Sequence, residues 1–208
     1  MNTSSTAETG TDGGTVTRLL DAAARLFYEQ GVGVGIAALC EAAGVSKRSM
    51  YQYFDSKDEV LAAALARSAP GHLARLLPGP YDTTTPRARI LGVFERIEQT
   101  AADPGYRGCP FVSIASEVKV ADHPARAVAR EFHDQLTAFF RGALVEAGVR
   151  RPDLLAQQLT AVHDGFFSGS SVQGRPLRGL ATSMAATLLD AAQVGTSRRS
   201  GTAAAPST

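Results

Sequence analysis

The chain lacks tryptophan altogether and has only two cysteines and three methionines among its 208 residues. Two cysteines, Cys40 and Cys109, cannot build a disulfide framework, and they stand too far apart in sequence to suggest a metal site. We therefore expect a reduced protein that holds no metal ion and no cofactor. Long apolar runs are also absent, as are the basic residues and apolar stretch of a signal peptide. The sequence thus predicts a cytoplasmic protein without a membrane partner.

Excess charge of either sign is missing as well. The 21 basic and 20 acidic residues leave a formal net charge of +1, and residues 15–60 carry five basic against six acidic side chains. This balance argues mildly against binding to nucleic acid. However, Lys47, Arg48 and Lys57 all stand where predicted helices begin, and the backbone N–H groups at a helix start also attract phosphate. A small positive surface is therefore compatible with contact to a DNA backbone.

The chain does contain a succession of apolar residues at helical spacing, without an alternating strand pattern of useful length. Its 44% hydrophobic residues are enough for the core of one or two domains. It offers no Ser/His/Asp or Cys/His cluster, no pair of metal ligands and no phosphate-binding loop. The sequence predicts an all-α protein of about nine helices that is not an enzyme.

The most informative segment is residues 39–54, which read L-C-E-A-A-G-V-S-K-R-S-M-Y-Q-Y-F. Gly44 is suited to end one helix in the left-handed conformation, and Ser46 is a good N-cap for the next. That next helix begins with Lys47 and Arg48, and a basic helix start held in place by a preceding helix fits the major groove of DNA. The pattern indicates a helix-turn-helix, although a purely structural corner between two helices uses the same residue types.

The flanking segments make this pattern more specific. Residues 16–30 predict an amphipathic helix, and Ser56 with Glu59 forms a capping box for a long helix that follows. The run A-A-G-V-S-K-R-S-M-Y-Q-Y-F-D-S-K-D-E-V-L resembles the TetR family of transcriptional regulators. The resemblance in motif covers roughly residues 15–65, and beyond them it rests on chain length and the helical pattern.

The resemblance implies an architecture and a function. Residues 15–60 would form a three-helix DNA-binding domain, and residues 61–195 a helical ligand-binding and dimerisation domain, between disordered tails at residues 1–14 and 196–208. The expected protein is a homodimer held together by helices eight and nine. It would act as a repressor that a small-molecule inducer releases from a palindromic operator in double-stranded DNA.

The family motif also implies which residues contact DNA. Eight residues are expected to reach phosphates or base edges: Ser46, Lys47, Arg48, Ser49, Tyr51, Gln52, Tyr53 and Lys57. Arg48 is the best candidate for reading a guanine, because its planar fork can donate two hydrogen bonds. The alternative for Arg48 is a solvated surface charge.

The sequence departs from the family pattern around the start of helix two. Relatives usually carry Thr or Ser there, whereas Val34-Gly35-Ile36 offers no hydroxyl, and Ala38 stands where an acidic or polar residue is usual. Both differences weaken the expected contact with the DNA backbone. They leave open a second hypothesis, a helical protein-binding module that has the same fold but has lost operator binding.

The resemblance further implies a ligand pocket on the inward side of helices four to eight. The candidate lining residues are Phe94, Ile97, Cys109, Phe111, Ile114, Phe132, Phe139, His163, Phe166 and Phe167. Such a lining predicts a hydrophobic or aromatic inducer, although aromatic residues at helical spacing also form ordinary core. Cys109 follows Arg107 at a helix start, so it is either an activated thiol that senses oxidants or electrophiles, or a small buried hydrophobe.

Glycine and proline positions predict where the later helices end. Pro70 and Gly71 are expected to break or kink helix four, residues 169–176 to form a loop, and residues 177–194 to form helix nine. Helix nine is apolar or small on nearly every side, so something must cover it. A dimer partner would do so, and so would burial within the monomer.

Overall fold

The computed structural model describes residues 9–79, 81–175 and 177–195, and within these ranges every regular element is a helix. Nine helices follow one another there: α1 Thr9–Gln30, α2 Ile36–Ala43, α3 Lys47–Tyr51, α4 Lys57–Leu76, α5 Pro86–Ala101, α6 Pro110–Glu117, α7 Pro124–Glu146, α8 Pro152–Gln173 and α9 Leu180–Ala191. The predicted all-α class is confirmed.

The first four helices form one packed unit, in which α1 lies against both α2 and α4. Gly44 ends α2 in the left-handed conformation at φ 63°, and the Val45 amide donates to the Cys40 carbonyl at 2.9 Å. Ser46 then caps α3 by accepting a hydrogen bond from the Ser49 amide at 3.0 Å. The predicted helix-turn-helix geometry is confirmed.

The C-terminal helices pack around α7, which contacts α4, α5, α6 and α8. Two pairs of nearly parallel rings fill the centre of this region. Phe94 of α5 lies against Phe140 of α7 with ring centroids 5.6 Å apart, and Phe111 of α6 stacks on Phe132 of α7 at 3.8 Å. All four rings are buried. Because α7 also packs against α4, it connects the first unit to the rest of the core.

Polar contacts hold α9 against α5 at both of its ends. The Glu98 carboxylate accepts hydrogen bonds from the amides of Gly179 and Thr182, at 2.9 and 3.0 Å, and so caps the start of α9 from a neighbouring helix. At the other end Arg87 pairs with Asp190 at 2.7 Å. The helix is shorter than the predicted residues 177–194, because Gly179, at φ 74°, precedes its first turn.

The start of α1 differs from the prediction. Residues 9–14 are helical, although the sequence assigns them to a disordered tail. No proline interrupts this stretch, and glycine lowers the stability of a helix without ending it. The predicted tails at residues 1–8 and 196–208 lie outside the described residues.

The middle of α4 also differs from the prediction, since Pro70 does not break the helix. The helix runs without interruption from Lys57 to Leu76, although an interior proline removes one backbone hydrogen bond and costs about 3 kcal/mol. Buried residues on both sides of the proline, Leu65 and Leu76, hold the helix against the core. In addition, the His72 ring donates a hydrogen bond to the Ser68 carbonyl at 3.0 Å.

The end of α8 lies beyond its predicted limit, since the helix continues to Gln173 where the sequence predicts a loop. A Cβ atom at Gly169 would stand 3.1 Å from the Leu177 side chain. This glycine therefore makes room for the returning chain instead of ending the helix. Gly174, in the left-handed conformation at φ 62°, ends it.

Candidate functional site

The surface of α3 presents polar side chains to solvent. Lys47, Arg48, Tyr51 and Gln52 are all exposed. Their side chains make no hydrogen bond or ion pair within the described ranges, while Met50 behind them is buried and anchors the helix. Half of the eight predicted DNA-contacting residues are thus held on a fixed helix and remain available to a partner.

Two other predicted contacts near α3, Ser46 and Ser49, also have structural tasks. The Ser46 hydroxyl caps the helix and lies 2.9 Å from the Ser49 hydroxyl. Ser46 is nevertheless exposed, whereas Ser49 and Tyr53 are half-buried. A hydroxyl that accepts one hydrogen bond still has capacity for another, so capping is compatible with contact to phosphate.

Lys57 reaches back to the loop between α1 and α2. Its Nζ donates to the Val32 carbonyl at 2.8 Å, and the Val32 amide donates to the Glu117 carboxylate at 2.9 Å. Gly31 allows this approach, because its φ is +78° and a Cβ atom there would stand 2.8 Å from Glu117 Oε2. Through Val32, this loop is thus fixed to Lys57 at the start of α4 and to Glu117 at the end of α6. We call these three residues the Val32 clamp. Sequence alone does not reveal this role of Lys57.

The start of α2 has no side-chain cap, as the sequence predicts. Gly35 occupies the N-cap position, and no side chain there accepts a hydrogen bond from the first turn. Its backbone is extended, with φ −80° and ψ 154°, and a Cβ atom would meet nothing within 4 Å. The position therefore tolerates other residue types, and the missing hydroxyl is a feature of this chain rather than a demand of the fold.

A cavity of about 750 Å³ lies between the first unit and the C-terminal helices. Residues of α1, α4, α5, α6, α7 and α8 build its wall, and the apolar ones include Phe27, Leu61, Ile97, Phe132 and Phe167. Small-molecule sites typically measure roughly 300–1,000 Å³. The cavity is therefore large enough for a ligand, and an occupant would touch both parts of the protein.

Six of the ten predicted pocket residues line this cavity: Ile97, Cys109, Ile114, Phe132, His163 and Phe167. The other four, Phe94, Phe111, Phe139 and Phe166, do not. The first two of these four are buried in the stacked pairs of the core. Phe139 is only partly buried, because the adjacent Phe140 takes the inward position on α7. These four therefore do not line this cavity.

Several polar residues of the wall escape sequence analysis. Tyr28 of α1 accepts a hydrogen bond from the Arg107 amide at 2.8 Å, and the Tyr106 ring lies 5.9 Å from that of Phe167. Burial raises the pKa of both phenols and lowers the pKa of His72, which also faces the cavity. These residues come from elements far apart along the chain, so no local pattern could group them.

Cys109 is 4% exposed at the cavity wall. Burial raises the pKa of its thiol to about 12, and this outweighs the hydrogen bonds from the backbone of Val112 and Phe111, which lower it. At neutral pH the thiol therefore keeps its proton, whereas the reactive form of cysteine is the thiolate. The geometry fits a small buried hydrophobe better than an activated sensor.

A polar triad connects α7 and α8 beside the cavity. The Asp164 carboxylate accepts hydrogen bonds from His133 Nε2 at 2.8 Å and from His163 Nδ1 at 2.9 Å. Burial alone would raise the pKa of Asp164, but the hydrogen bonds and charges of the two histidines outweigh it and hold this pKa below its usual value. His163 is 1% exposed and lines the cavity. Because Asp164 occupies Nδ1, Nε2 is the ring atom left to an occupant.

The outward sides of α8 and α9 carry mostly apolar or small residues, with Gln158 among them. On α8 the exposed residues at helical spacing are Leu154, Gln158, Ala161, Gly165, Ser168 and Val172. Leu180 and Met184 of α9 are exposed as well, while Ala181, Ala185 and Leu189 are buried. Burial within the monomer therefore accounts for only one side of α9. Exposed apolar residues in such a group are typical of a surface that binds another protein.

Within the described ranges, no group of three or more His, Cys, Asp or Glu side chains is arranged to hold a metal ion. Nor does any helix there combine the length and the apolar character needed to cross a bilayer.

Comparison with known proteins places these features in context. Residues 19–64 match the model of the bacterial regulatory proteins of the tetR family, while none of the curated proteins matches the chain. A TetR-type transcriptional regulator from Streptomyces avermitilis is 47% identical, and the match covers 86% of this chain and 98% of that chain with a TM-score of 0.83.

More distant structures share the fold. A TetR-family transcriptional regulator from Streptomyces coelicolor is 21% identical over 87% of this chain and 93% of its own, with a TM-score of 0.70. The reduced form of E. coli NemR is 23% identical over 85% of this chain and 95% of its own, with a TM-score of 0.72.

Proposed function

The chain belongs to the TetR family of bacterial regulatory proteins, and from this premise we propose that it is a homodimeric repressor that a small apolar or aromatic molecule releases from a palindromic operator. Family membership accounts for DNA binding and transcription regulation without catalysis. The repressor role, the ligand and the symmetry of the operator are the inferred part.

One observation carries the proposal, namely that the Val32 clamp reaches the cavity through Glu117, with Gly31 of the adjoining loop beside it. Gly31 and Glu117 both line the cavity, and the Glu117 carboxylate holds the Val32 amide just before α2. An occupant would therefore contact the group that fixes the loop next to the helix-turn-helix. A ligand that binds one arrangement of this loop more tightly than another must shift the population of the two arrangements, and we infer that they differ in their affinity for DNA.

We assign DNA contact to the exposed side of α3. Arg48 and Lys47 project from its first turn without partners in the described chain, which suits a base contact for the arginine and a phosphate contact for the lysine. Lys57 already donates one hydrogen bond to the Val32 carbonyl, so it can contact a phosphate only with its remaining N–H donors.

We assign dimerisation to the outward sides of α8 and α9. Ala161 and Gly165 lie at the middle of the exposed side of α8, where small residues allow two helices to approach closely, and Leu154 and Val172 flank them. Two copies related by a twofold axis would present two α3 helices to half-sites about one helical turn, or a multiple of it, apart.

The test is selection of bound duplexes from a random pool at two salt concentrations, followed by sequencing. Recovery of a palindrome is the expected result. In fluorescence anisotropy, Arg48→Ala should then cost roughly 1–3 kcal/mol at one base position, whereas Lys47→Ala should weaken binding to all sequences alike. Equal losses on every sequence for both variants would contradict the assignment.

A second candidate is a protein-binding module that has lost operator binding. The missing hydroxyl at Gly35 and the excess of one acidic residue over basic residues in residues 15–60 favour it. If a folded dimer selects no sequence from the random pool, this candidate replaces the first.

A further inference from the structure

The charged residues of the cavity wall are unbalanced. Six of them line it: Arg25, Arg75, Arg96, Arg107, Glu29 and Glu117. Glu29 pairs with Arg25 at 3.5 Å, and Glu117 accepts from the Val32 amide. The guanidinium groups of Arg75, Arg96 and Arg107 thus form no ion pair with a carboxylate in the part of the chain that the structure describes.

Two of these arginines meet the C-terminal end of α4, since Arg75 lies in its last turn and Arg96 of α5 reaches it through a hydrogen bond. Arg96 Nη1 donates to the Leu76 carbonyl at 3.0 Å, and Leu76 directly follows Arg75. A guanidinium carries five N–H donors, so this single hydrogen bond to a neutral carbonyl leaves most of the donors of Arg96 free. Arg107 is tied to another part of the wall, since its amide donates to the Tyr28 hydroxyl.

Apolar side chains form much of the remaining wall, with Phe132 and Ile97 among those that are almost fully buried. A molecule with an apolar body gains free energy by replacing water against them. An anionic group on the same molecule would accept charge-assisted hydrogen bonds from the arginines. A neutral ligand would leave those donors to water, and a cationic ligand would be repelled.

We propose that the ligand of this cavity is an amphipathic monocarboxylate, whose apolar or aromatic body contacts the buried wall and whose carboxylate is held by the unpaired arginines of that wall, which are drawn from Arg75, Arg96 and Arg107. This inference rests on the proposed function, because it names the chemistry of the molecule that would release the protein from DNA.

Isothermal titration calorimetry on the full-length protein without DNA tests this inference. The probes are two matched sets that differ only in the head group: octanoate, octanamide and octylamine, and naphthylacetate, naphthylacetamide and naphthylethylamine. At least one acid should bind about tenfold more tightly than its amide, and the amine should bind most weakly. The advantage of the acid should shrink in high salt, because salt screens exposed charges.

Matched variants locate the effect. Arg75 and Arg107 are exposed and have no hydrogen-bond partner for their side chains within the described residues, so the double variant Arg75→Gln/Arg107→Gln should fold normally. It should lose a large part of the preference for the acid, with Arg96 left to supply the rest, and keep its affinity for the amide. Arg130→Gln, an exposed arginine of α7 that is not part of the cavity wall, serves as the control and should bind like the wild type.

An amide or amine that binds as tightly as its acid would overturn the inference, and so would the absence of binding by either acid at about 1 mM. An acid preference that the double variant retains undiminished would also overturn it. The duplex selection uses no ligand. If it recovers a palindrome while the titrations show no preference for an acid, only the proposed chemistry of the ligand is rejected. Acid-selective binding without any selected duplex would instead reject the proposed repressor.

Discussion

The Glu117 carboxylate accepts a hydrogen bond from the Val32 amide at 2.9 Å, although 85 positions separate the two residues. The bond joins the last residue of α6 to the loop that leads into α2. Because Glu117 also lines the cavity, this hydrogen bond connects the cavity wall to the loop that precedes the helix-turn-helix.

Replacing Glu117 with Ala should weaken this connection. The Val32 amide loses its acceptor, so we expect the free energy of unfolding to fall by about 0.5–1.5 kcal/mol. The ligand-induced change in DNA affinity should also fall, since an occupant no longer contacts the group that holds the loop. Chemical denaturation and anisotropy titrations with and without ligand measure the two effects. Glu95→Ala, at an exposed site of α5 outside the cavity, is the control, and an undiminished ligand effect in Glu117→Ala would exclude this route.

Restoring a hydroxyl at the start of α2 should strengthen DNA binding. Gly35 has an extended backbone and open space around the position of a Cβ atom, so Gly35→Ser can cap the helix without strain. Serine exceeds glycine as an N-cap by a few tenths of a kcal/mol, and the new hydroxyl can also contact phosphate. We expect a small gain in unfolding free energy and a lower Kd for the selected duplex. Gly33→Ser, also in open space, should change neither, and an unchanged Kd in Gly35→Ser would place the start of α2 away from DNA.

A charge at the centre of the exposed side of α8 should separate the dimer. In Ala161→Glu two carboxylates would face each other across a twofold axis, and burial of unpaired charge opposes association. Light scattering coupled to gel filtration should report a monomer, and the affinity for a palindromic duplex should fall. Ala138→Glu adds the same charge to an exposed site of α7 and should remain dimeric. A dimeric Ala161→Glu protein would show that another surface forms the interface.

The pH dependence of stability should include a contribution from Asp164. Its pKa in the folded protein is lowered by His163 and His133 against the opposing effect of burial. The folded protein therefore holds the carboxylate ionised at pH values where the unfolded chain, with a pKa of about 3.9, begins to take up a proton. This contribution is present above the unfolded pKa and is lost as the pH falls through the folded one.

Asp164→Asn should accordingly be less stable than the wild type at neutral pH. The difference should shrink as the pH is lowered below about 4. Denaturation curves over this pH range test the prediction, with Asp134→Asn, an exposed aspartate of α7, as the control. A difference that stays constant with pH would mean that ionisation of Asp164 does not stabilise the fold.

The sequence predicts the helix-turn-helix well because local residues determine it. Gly44, Ser46 and Ser56 act on the few backbone groups next to them, and each has the predicted role in the structure. Local signals mislead where tertiary contacts outweigh them. Pro70 does not break α4, because the core holds the helix on both sides, and Gly169 does not end α8, because Leu177 packs against it.

The cavity is only partly predictable for a related reason. Helical spacing identifies inward sides, and so it finds Ile97, Ile114 and Phe132. It cannot decide between Phe139 and Phe140, since a small rotation of α7 exchanges their environments. Nor can it find Tyr28, which reaches the cavity from a helix that the motif assigns to the DNA-binding unit, or Arg75, a charged residue that follows the interruption predicted at Pro70.

The central claim is that the protein responds to the occupant of the cavity by changing its affinity for DNA. Because coupling between two binding sites is reciprocal, the most direct measurement is the Kd of one cavity ligand for the free dimer and for the dimer saturated with its selected duplex. The account predicts that the duplex weakens ligand binding by the same factor by which the ligand weakens duplex binding. Equal ligand affinities for the free and the DNA-bound dimer would contradict it.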